Sequence, residues 1–507
     1  MLRTKDIVFI ALISIKFILQ FIIVDPAYEL HRDEFLHLDQ ADHLAMGYLS
    51  VPPFTSWTSL VIKWLGGGIF WVRFFPALFG AITVAIVWQL TGYLKGGLFA
   101  QVLAVSGIIF SALLRLNILY QPNSADVLFW TACYFCLIRY IQSEKNKFLY
   151  LAGLYIGLGM LNKYNILFCV AGLIPALIIT QQRKIFTKKE LYWAAGIALL
   201  VFSPNLIWQI QHQFPVFGHM RELAERQLVN VKASDFIKDQ ILFFAGSIYI
   251  WLSGLLALLF YKPFVKYRFV GLGYLFTIII FLLLKAKGYY SIGLYPVLFS
   301  FGALFIEAKT SQVWASKLRY SLAIIPILVL IPVFELIFPL LSPQEIKARS
   351  EKFSALGLLR WEDGKDHELP QDFADMLGWK ELAAEVDKVY GAIPEKEKTL
   401  VFCDNYGQAG AINFYSKYRT IQAVTFNADY KNWFPWSQEI KHVIRIKERD
   451  ADDDLAKEKS LFQSVTLTGS ITDPAAREFG TRVILLKDAT ADITKVLREE
   501  LRDRVSQ

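Results

Sequence analysis

Apolar residues in this chain come in long blocks, not at a helical or strand period. The blocks fall at about 7–24, 72–94, 97–115, 124–142, 148–161, 165–181, 190–209, 239–260, 268–284, 291–307 and 320–340. Blocks of this length with few charges predict membrane-spanning helices, about eleven of them, with the division around 148–181 the least distinct. The first block contains Lys16 and Gln20 and is followed by no small-residue cleavage site. It therefore reads as a retained span and not as a cleaved leader.

Two stretches depart from this pattern. Residues 25–71 form a long polar segment, partly amphipathic and rich in acids and histidines, which predicts helices lying along a membrane surface. After about residue 341 the apolar runs shorten and charge becomes frequent. There Trp379–Tyr390 and Gly407–Tyr418 read as helices, and Thr399–Cys403, His442–Ile446 and Arg482–Leu486 as strands. Alternation of this kind predicts a small soluble α/β domain. The expected fold is a polytopic α-helical membrane protein with a C-terminal soluble α/β domain. The membrane part takes residues 1–340, including the outer loop 25–71, and the soluble part takes 341–507.

Composition agrees: 55% of the 507 residues are hydrophobic and only 19% are charged, which excludes an ordinary soluble enzyme. The net charge of +8 invites a nucleic-acid reading, but much of the excess sits in short loops between blocks. With the N-terminus in the cytoplasm, Arg3, Lys5, Lys95, Lys145, Lys147, the 183–189 cluster, Lys262, Lys266, Arg268, Lys309, Lys317 and Arg319 all fall on the cytoplasmic side. An odd number of spans then places the C-terminal domain outside. Cys133, Cys136 and Cys169 lie inside apolar blocks and read as small buried residues, while Cys403 stands alone. Gly66-Gly67-Gly68 reads as a flexible turn, since no phosphate-binding loop surrounds it.

The densest polar cluster is His31-Arg32-Asp33-Glu34-Phe35-Leu36-His37-Leu38-Asp39-Gln40-Ala41-Asp42-His43. On a helix, Asp33 and His37 share a face with Glu34 one step round, and Asp39 pairs with His43 on another. Carboxylates this close to a bilayer invite a functional reading. Asp39, Asp42 and His43 fit the wet face of a surface helix better; Asp33 and Glu34 fit a chemical role. Further polar segments are Gly47-Tyr48-Leu49-Ser50-Val51-Pro52-Pro53, Tyr120-Gln121-Pro122-Asn123-Ser124-Ala125-Asp126, Asn162-Lys163-Tyr164, Pro204-Asn205-Leu206-Ile207-Trp208-Gln209-Ile210-Gln211-His212, Lys287-Gly288-Tyr289-Tyr290 and Asp404-Asn405-Tyr406-Gly407-Gln408-Ala409-Gly410-Ala411. By the charge-derived topology, Lys163, Lys285 and Lys287 lie on the outer side, where lysine is disfavoured.

In this order, the segments resemble glycosyltransferase family 39. That family has the GT-C fold and includes protein O-mannosyltransferases and bacterial lipid A aminoarabinose transferases. The resemblance implies sugar transfer from a polyprenyl-phosphate donor to a lipid, glycan or protein acceptor at the outer face of the bacterial cytoplasmic membrane, with inversion. By the same resemblance Asp33 is the general base and Glu34 orients the acceptor or the base, and a carboxylate beside another raises the pKa of one of them. Lys163 with Tyr164, and Lys287 with Tyr289 and Tyr290, are the candidates for the donor phosphate; snorkelling lysines in an aromatic belt are the alternative. Asp126 matches the family's second acidic position and is a candidate for a donor hydroxyl or a divalent metal (Mg or Mn), with a dipole-complementing helix acid as the alternative. His37 is a ligand type of the same kind. Asn405 and Tyr406 follow a strand and are candidates for the acceptor, with simple turn chemistry as the alternative. The aminoarabinose transferases carry a different acidic loop, so their substrate does not carry over. A lipid or sugar transporter is the competing class, opposed by the lack of two-fold sequence symmetry and by acids placed in a loop, not mid-span.

Overall fold

The computed structural model describes residues 3–226, 228–311, 317–449 and 455–506. Two compact units emerge: Met1–Ile23, Ala45–Thr58 and Leu65–Phe338 form one, and Val24–Leu44, Ser59–Trp64 and Pro339–Gln507 form the other.

The first unit is helical throughout, and each of the apolar blocks folds as helix over most of its length. Among the described residues, five helices are by length and composition long and apolar enough to cross a membrane: Ile69–Tyr93, Asn123–Ser143, Lys189–Gln211, Lys262–Leu283 and Gly288–Lys309. Two more candidates are broken helix pairs, Ile166–Ile178 with Gln181–Thr187 at 108° and Ala233–Leu242 with Ala245–Phe260 at 63°. The remaining blocks give shorter or more charged helices. Lys147–Asn162 has 16 residues, about 24 Å at 1.5 Å per residue, short of the ~30 Å hydrocarbon layer. Thr4–Ile22 carries Lys5, Asp6 and Lys16.

Small residues set the helix packing, as expected where lipid offers no competing hydrophobic drive. A Cβ on Gly302 would lie 1.8 Å from the Ile250 carbonyl oxygen, and one on Gly254 2.1 Å from that of Leu298. The helices Ile248–Phe260 and Tyr295–Lys309 thus meet backbone to backbone. Lys147–Asn162 packs on Lys189–Gln211 in the same way, through Gly153 against the Ala194 carbonyl. Gly66 and Gly67, at φ 104° and 67°, supply the left-handed turn before Ile69–Tyr93.

The second unit holds a five-stranded sheet in the order β2-β1-β3-β5-β4. Its strands are β1 (Thr399–Cys403), β2 (Ala423–Thr425), β3 (His442–Lys447), β4 (Phe462–Ser470) and β5 (Arg482–Ala489). β1 runs parallel to β2 and β3, while β5 is antiparallel to β3 and β4. β1 is buried along its whole length, which is why it reads as an unbroken apolar run. Leu400 and Phe402 pack with Ile493 and Leu497 of the C-terminal helix. The period of two turns Val401 and Cys403 to the opposite face. β2 is three residues long and β4 is mostly exposed, so neither shows an apolar pattern in the sequence.

The early segment Val24–Leu44 counts with this unit and not with the helices that flank it in sequence. Backbone hydrogen bonds account for the difference: Asp25 N to Pro339 O, Glu29 N to Met376 O and Arg32 N to Asp375 O. The Glu29 carboxylate also accepts from Trp379 N and Lys380 N, at 2.8 and 3.0 Å. It thereby caps a helix, Trp379–Ala392, whose own N-cap is Gly378 at φ 83° and offers no side chain.

Candidate functional site

The acidic cluster forms a helix only from Arg32 to Asp39. Its start is a capping box: His31 Nδ1 accepts from Asp33 N at 3.2 Å, and Glu34 Oε2 accepts from His31 N at 2.5 Å. Glu34 is 1% exposed, so its role in the structure is to close the helix N-terminus. The helix ends before His43, and the expected Asp39–His43 pair does not form. His43 stacks on Trp433 with ring centroids 4.3 Å apart. Asp39 Oδ2 accepts from Asn413 Nδ2 and from the Tyr430 hydroxyl, each at 2.7 Å. Burial, opposed by those two bonds, pushes the Asp39 carboxyl up to about 7. Asp39 is thus a built-in contact of the domain and not part of a wet face; Asp42 is the exposed member, paired with Lys63.

Asp33 stays open. Its side chain is 42% exposed, and Oδ1 accepts from the Tyr406 hydroxyl at 2.7 Å. Withdrawal from water raises its carboxyl, but His31, the Tyr406 hydrogen bond, Arg32 and His37 outweigh that effect and hold it below the usual carboxylate value. The expected upward push on Asp33 from a neighbouring acid does not prevail, because Glu34 turns to the helix start. Burial and Asp33 together push the Tyr406 phenol upward, so it remains a proton donor. His37 is buried with Nδ1 unpartnered, and burial lowers its pKa.

The segment after β1 explains this arrangement residue by residue. Asp404 pairs with Arg445. The Asn405 side chain caps helix Tyr406–Tyr415 by accepting from Gln408 N, and its amide donates to Glu448 and Glu478 at 2.6 and 3.0 Å. Its hydrogen-bonding groups are spent inside the domain, contrary to an acceptor role. Gly407 and Gly410 let the helix Arg32–Asp39 approach: a Cβ at either would lie 2.6 Å from Arg32 Cγ or Phe35 Cβ. The Arg32 guanidinium sits 4.5 Å from the Tyr406 ring centroid. Behind them, Asp375 accepts from Arg477 and lies 3.7 Å from His31 Nε2. His31, Asp375 and Arg477 were not singled out from the sequence. The only local signal was the spacing His31-x-x-Glu34, a capping box with an uncommon first residue.

In the helical unit a second constellation forms around Lys163, which ends helix Lys147–Asn162 in an extended conformation. Its ammonium donates to Asn123 Oδ1 at 2.8 Å and lies 4.4 and 5.2 Å from the ring centroids of Tyr290 and Tyr289. Lys287 stands at the N-cap of the 3-10 helix Gly288–Leu294 that carries both tyrosines. Asp126, 5% exposed, accepts from Trp130 Nε1 at 2.9 Å and Asn165 Nδ2 at 2.8 Å, one on each oxygen. Asn165 also donates to the Tyr290 carbonyl.

Tyr164 faces away from this group chemically: its hydroxyl donates to Asn205 at 2.6 Å and accepts from Gln209 at 2.9 Å. Asn205 continues the chain to the Met46 carbonyl, and a Cβ on Gly47 would meet the Trp208 ring at 2.3 Å. Tyr164, Asn205, Trp208 and Gln209 thus hold the 45–58 segment in place, with no hydroxyl of Tyr164 left over for phosphate. His212 stacks on Trp208, and its Nδ1–H donates to the Trp208 carbonyl.

A divalent metal does not fit these residues. N–H donors occupy both Asp126 oxygens, a phenol occupies one oxygen of Asp33, and among the described residues no three His, Cys, Asp or Glu side chains converge.

Residues 50–208 match the family of dolichyl-phosphate-mannose-protein mannosyltransferases. The lipid A galacturonosyltransferase RgtD of Rhizobium johnstonii is 27% identical over 203 residues, 38% of this chain and 41% of the relative's length. The match therefore spans less than half of that curated relative. In structure, the chain is similar to ArnT from Cupriavidus metallidurans bound to undecaprenyl phosphate, with a TM-score of 0.65 at 13% identity over 94% of this chain and 97% of the other. The apo state of that protein is similar to the same degree, at 12% identity. The fold is that of a GT-C-like polytopic membrane protein with a C-terminal α/β domain.

Proposed function

We propose that this protein is a membrane glycosyltransferase that moves a sugar from a polyprenyl-phosphate donor to a hydroxyl acceptor at the outer face of the bacterial cytoplasmic membrane. The observation that carries the reading is the state of Asp33: an exposed carboxylate held ionised at the start of a helix, with one oxygen anchored by Tyr406. The likeness to polyprenyl-phosphate-linked and lipid A transferases supports transfer over transport.

In the proposed reaction, Asp33 takes the proton of the acceptor hydroxyl as its oxygen attacks the anomeric carbon. The bond from that carbon to the phosphate oxygen breaks, polyprenyl phosphate leaves with the electron pair, and the anomeric centre inverts. Lys163, braced by Asn123 and the faces of Tyr289 and Tyr290, supplies positive charge to the leaving phosphate. Lys287 adds to it from the same motif. Asp126 fixes the first turn of Asn123–Ser143 and through Asn165 the Tyr290 backbone, so it shapes this group and leaves ligation to others. The lysine and arginine distribution supports a cytoplasmic N-terminus with the α/β domain outside.

The test is transfer by the purified full chain in lipid nanodiscs. A panel of undecaprenyl-phosphate donors (hexose, hexuronic acid, aminopentose) is offered with an envelope acceptor fraction from a deletion strain, and the acceptor mass gain is read. One donor should transfer, and Asp33→Asn should lower its kcat by about 10²–10⁴-fold. Transfer that survives Asp33→Asn at the wild-type rate would remove Asp33 as the base.

A further inference from the structure

We infer that Tyr406 is the positioning residue of Asp33: its hydroxyl aims one carboxylate oxygen, leaving the C-terminal domain as part of the catalytic apparatus and not an appended acceptor-binding module. This rests on the reading of Asp33 as the base.

Four features of the structure converge on the pair. Tyr406 and Asp33 are 373 residues apart in sequence, yet their oxygens meet at 2.7 Å. The Tyr406 ring is clamped on one side by the Arg32 guanidinium at 4.5 Å. Its backbone stands at the first position of a helix fixed by the Asn405 cap. Glycines at 407 and 410 clear the space for Arg32 and Phe35, so the two helices come close enough for the hydroxyl to reach. A tyrosine placed merely to bind an acceptor requires none of this apparatus.

The chemistry gives the pair a purpose. A carboxylate with 42% of its surface in water samples several rotamers, and each unproductive one costs rate. The Tyr406 donor holds one oxygen in place and favours the charged form. The charged and titratable groups around Asp33 are His31, Arg32, Glu34 and His37 on or beside its own helix, Tyr406 on the facing helix, and Asp375 on the segment before Trp379. Arg477 and Glu478 stand behind Asp375 and Arg32.

The experiment compares the wild-type full chain with Tyr406→Phe, which keeps the ring under Arg32 and removes only the hydroxyl. Two readouts are taken in nanodiscs, the labelling from pH 2 to 8 and the kinetics from pH 4 to 8. The first is labelling of Asp33 by a carbodiimide with glycine ethyl ester, read by peptide mass spectrometry, since addition of the carboxyl oxygen to the carbodiimide carbon needs a proton and the labelling falls as the carboxyl ionises. The second is kcat and KM with the donor that transfers in the panel assay. In Tyr406→Phe the half-labelling pH of Asp33 should rise by about one unit, the size of a single charge-assisted hydrogen bond. The acid limb of kcat/KM should move with it, and kcat should fall about tenfold while donor KM changes less than about twofold. An unchanged labelling pH would overturn the positioning role. A shifted labelling pH with unchanged transfer kinetics would overturn the base role of Asp33 and so separate the two failures. A rise in acceptor KM alone would return Tyr406 to acceptor binding and overturn the inference.

Discussion

The Tyr406 hydroxyl donates to Asp33 Oδ1 at 2.7 Å, joining the C-terminal α/β domain to the acidic loop that follows the first helix. Around that bond the second unit is built from both ends of the chain. The loop brings Glu29, His31, Arg32 and Asp39, and the domain answers with the Trp379 amide, Asp375, Tyr406 and Tyr430.

Lys163 is the cation of the helical unit's polar group, with a hydrogen bond to Asn123 and two aromatic faces beside it. Lys163→Met should raise donor KM by about ten- to a hundredfold, the range expected for one hydrogen bond to a charged group. Acceptor KM should hold steady. Initial rates against donor concentration decide it: a Met variant with wild-type donor KM takes Lys163 out of the phosphate role.

Asp39 gives the second unit a pH dependence. Its carboxyl titrates at about 7 in the folded protein, against about 3.9 when unfolded. The folded state therefore binds the extra proton between those values, and this contribution to stability is full below about pH 4 and lost as pH rises through 7. Asp39→Asn keeps an acceptor for Asn413 and Tyr430 and removes the titration. The melting temperature of the wild type should drop more between pH 5 and pH 8 than that of Asp39→Asn. Parallel curves would show that Asp39 is charged throughout.

Glu29 caps a helix that lies hundreds of residues away in sequence. Glu29→Ala should destabilise the second unit by about 1–2 kcal/mol, the cost of a lost N-cap. Limited proteolysis should then cut sooner around 370–392. Equal cleavage rates in wild type and variant would mean that water replaces the cap at no cost.

Gly302 touches the Ile250 carbonyl so closely that an added methyl must push two helices apart, whereas nothing lies within 4 Å of a Cβ at Gly196. Gly302→Ala should cost about 1–3 kcal/mol, seen as a lower melting temperature in detergent. Gly196→Ala should be neutral or slightly stabilising, through its better helix propensity. Similar melts for the two would argue against backbone contact between Ile248–Phe260 and Tyr295–Lys309.

Elements whose pattern is local were legible in the order of residues. Apolar blocks became helices because backbone in lipid must satisfy its own hydrogen bonds. β1 was readable because a strand covered on both faces carries a near-continuous apolar run, here Leu400–Cys403. The polar motifs around Asp33, Lys163, Tyr290 and Tyr406 were visible as residue types too hydrophilic for their surroundings. What the tertiary structure alone decided was how those motifs are used. No period in the sequence foretells that Val24–Leu44 joins a domain starting some three hundred residues later, because the bonds that tie it there run between backbone groups every residue possesses. The short edge strand β2 and the exposed β4 gave no apolar signal, since a strand with little to bury need not alternate. Tyr164 and Asn405 looked like ligand-binding residues, and the fold gives their polar groups partners within the protein. A polar side chain in an apolar setting announces that it has a partner, and only the fold says whether that partner is a substrate or the protein itself.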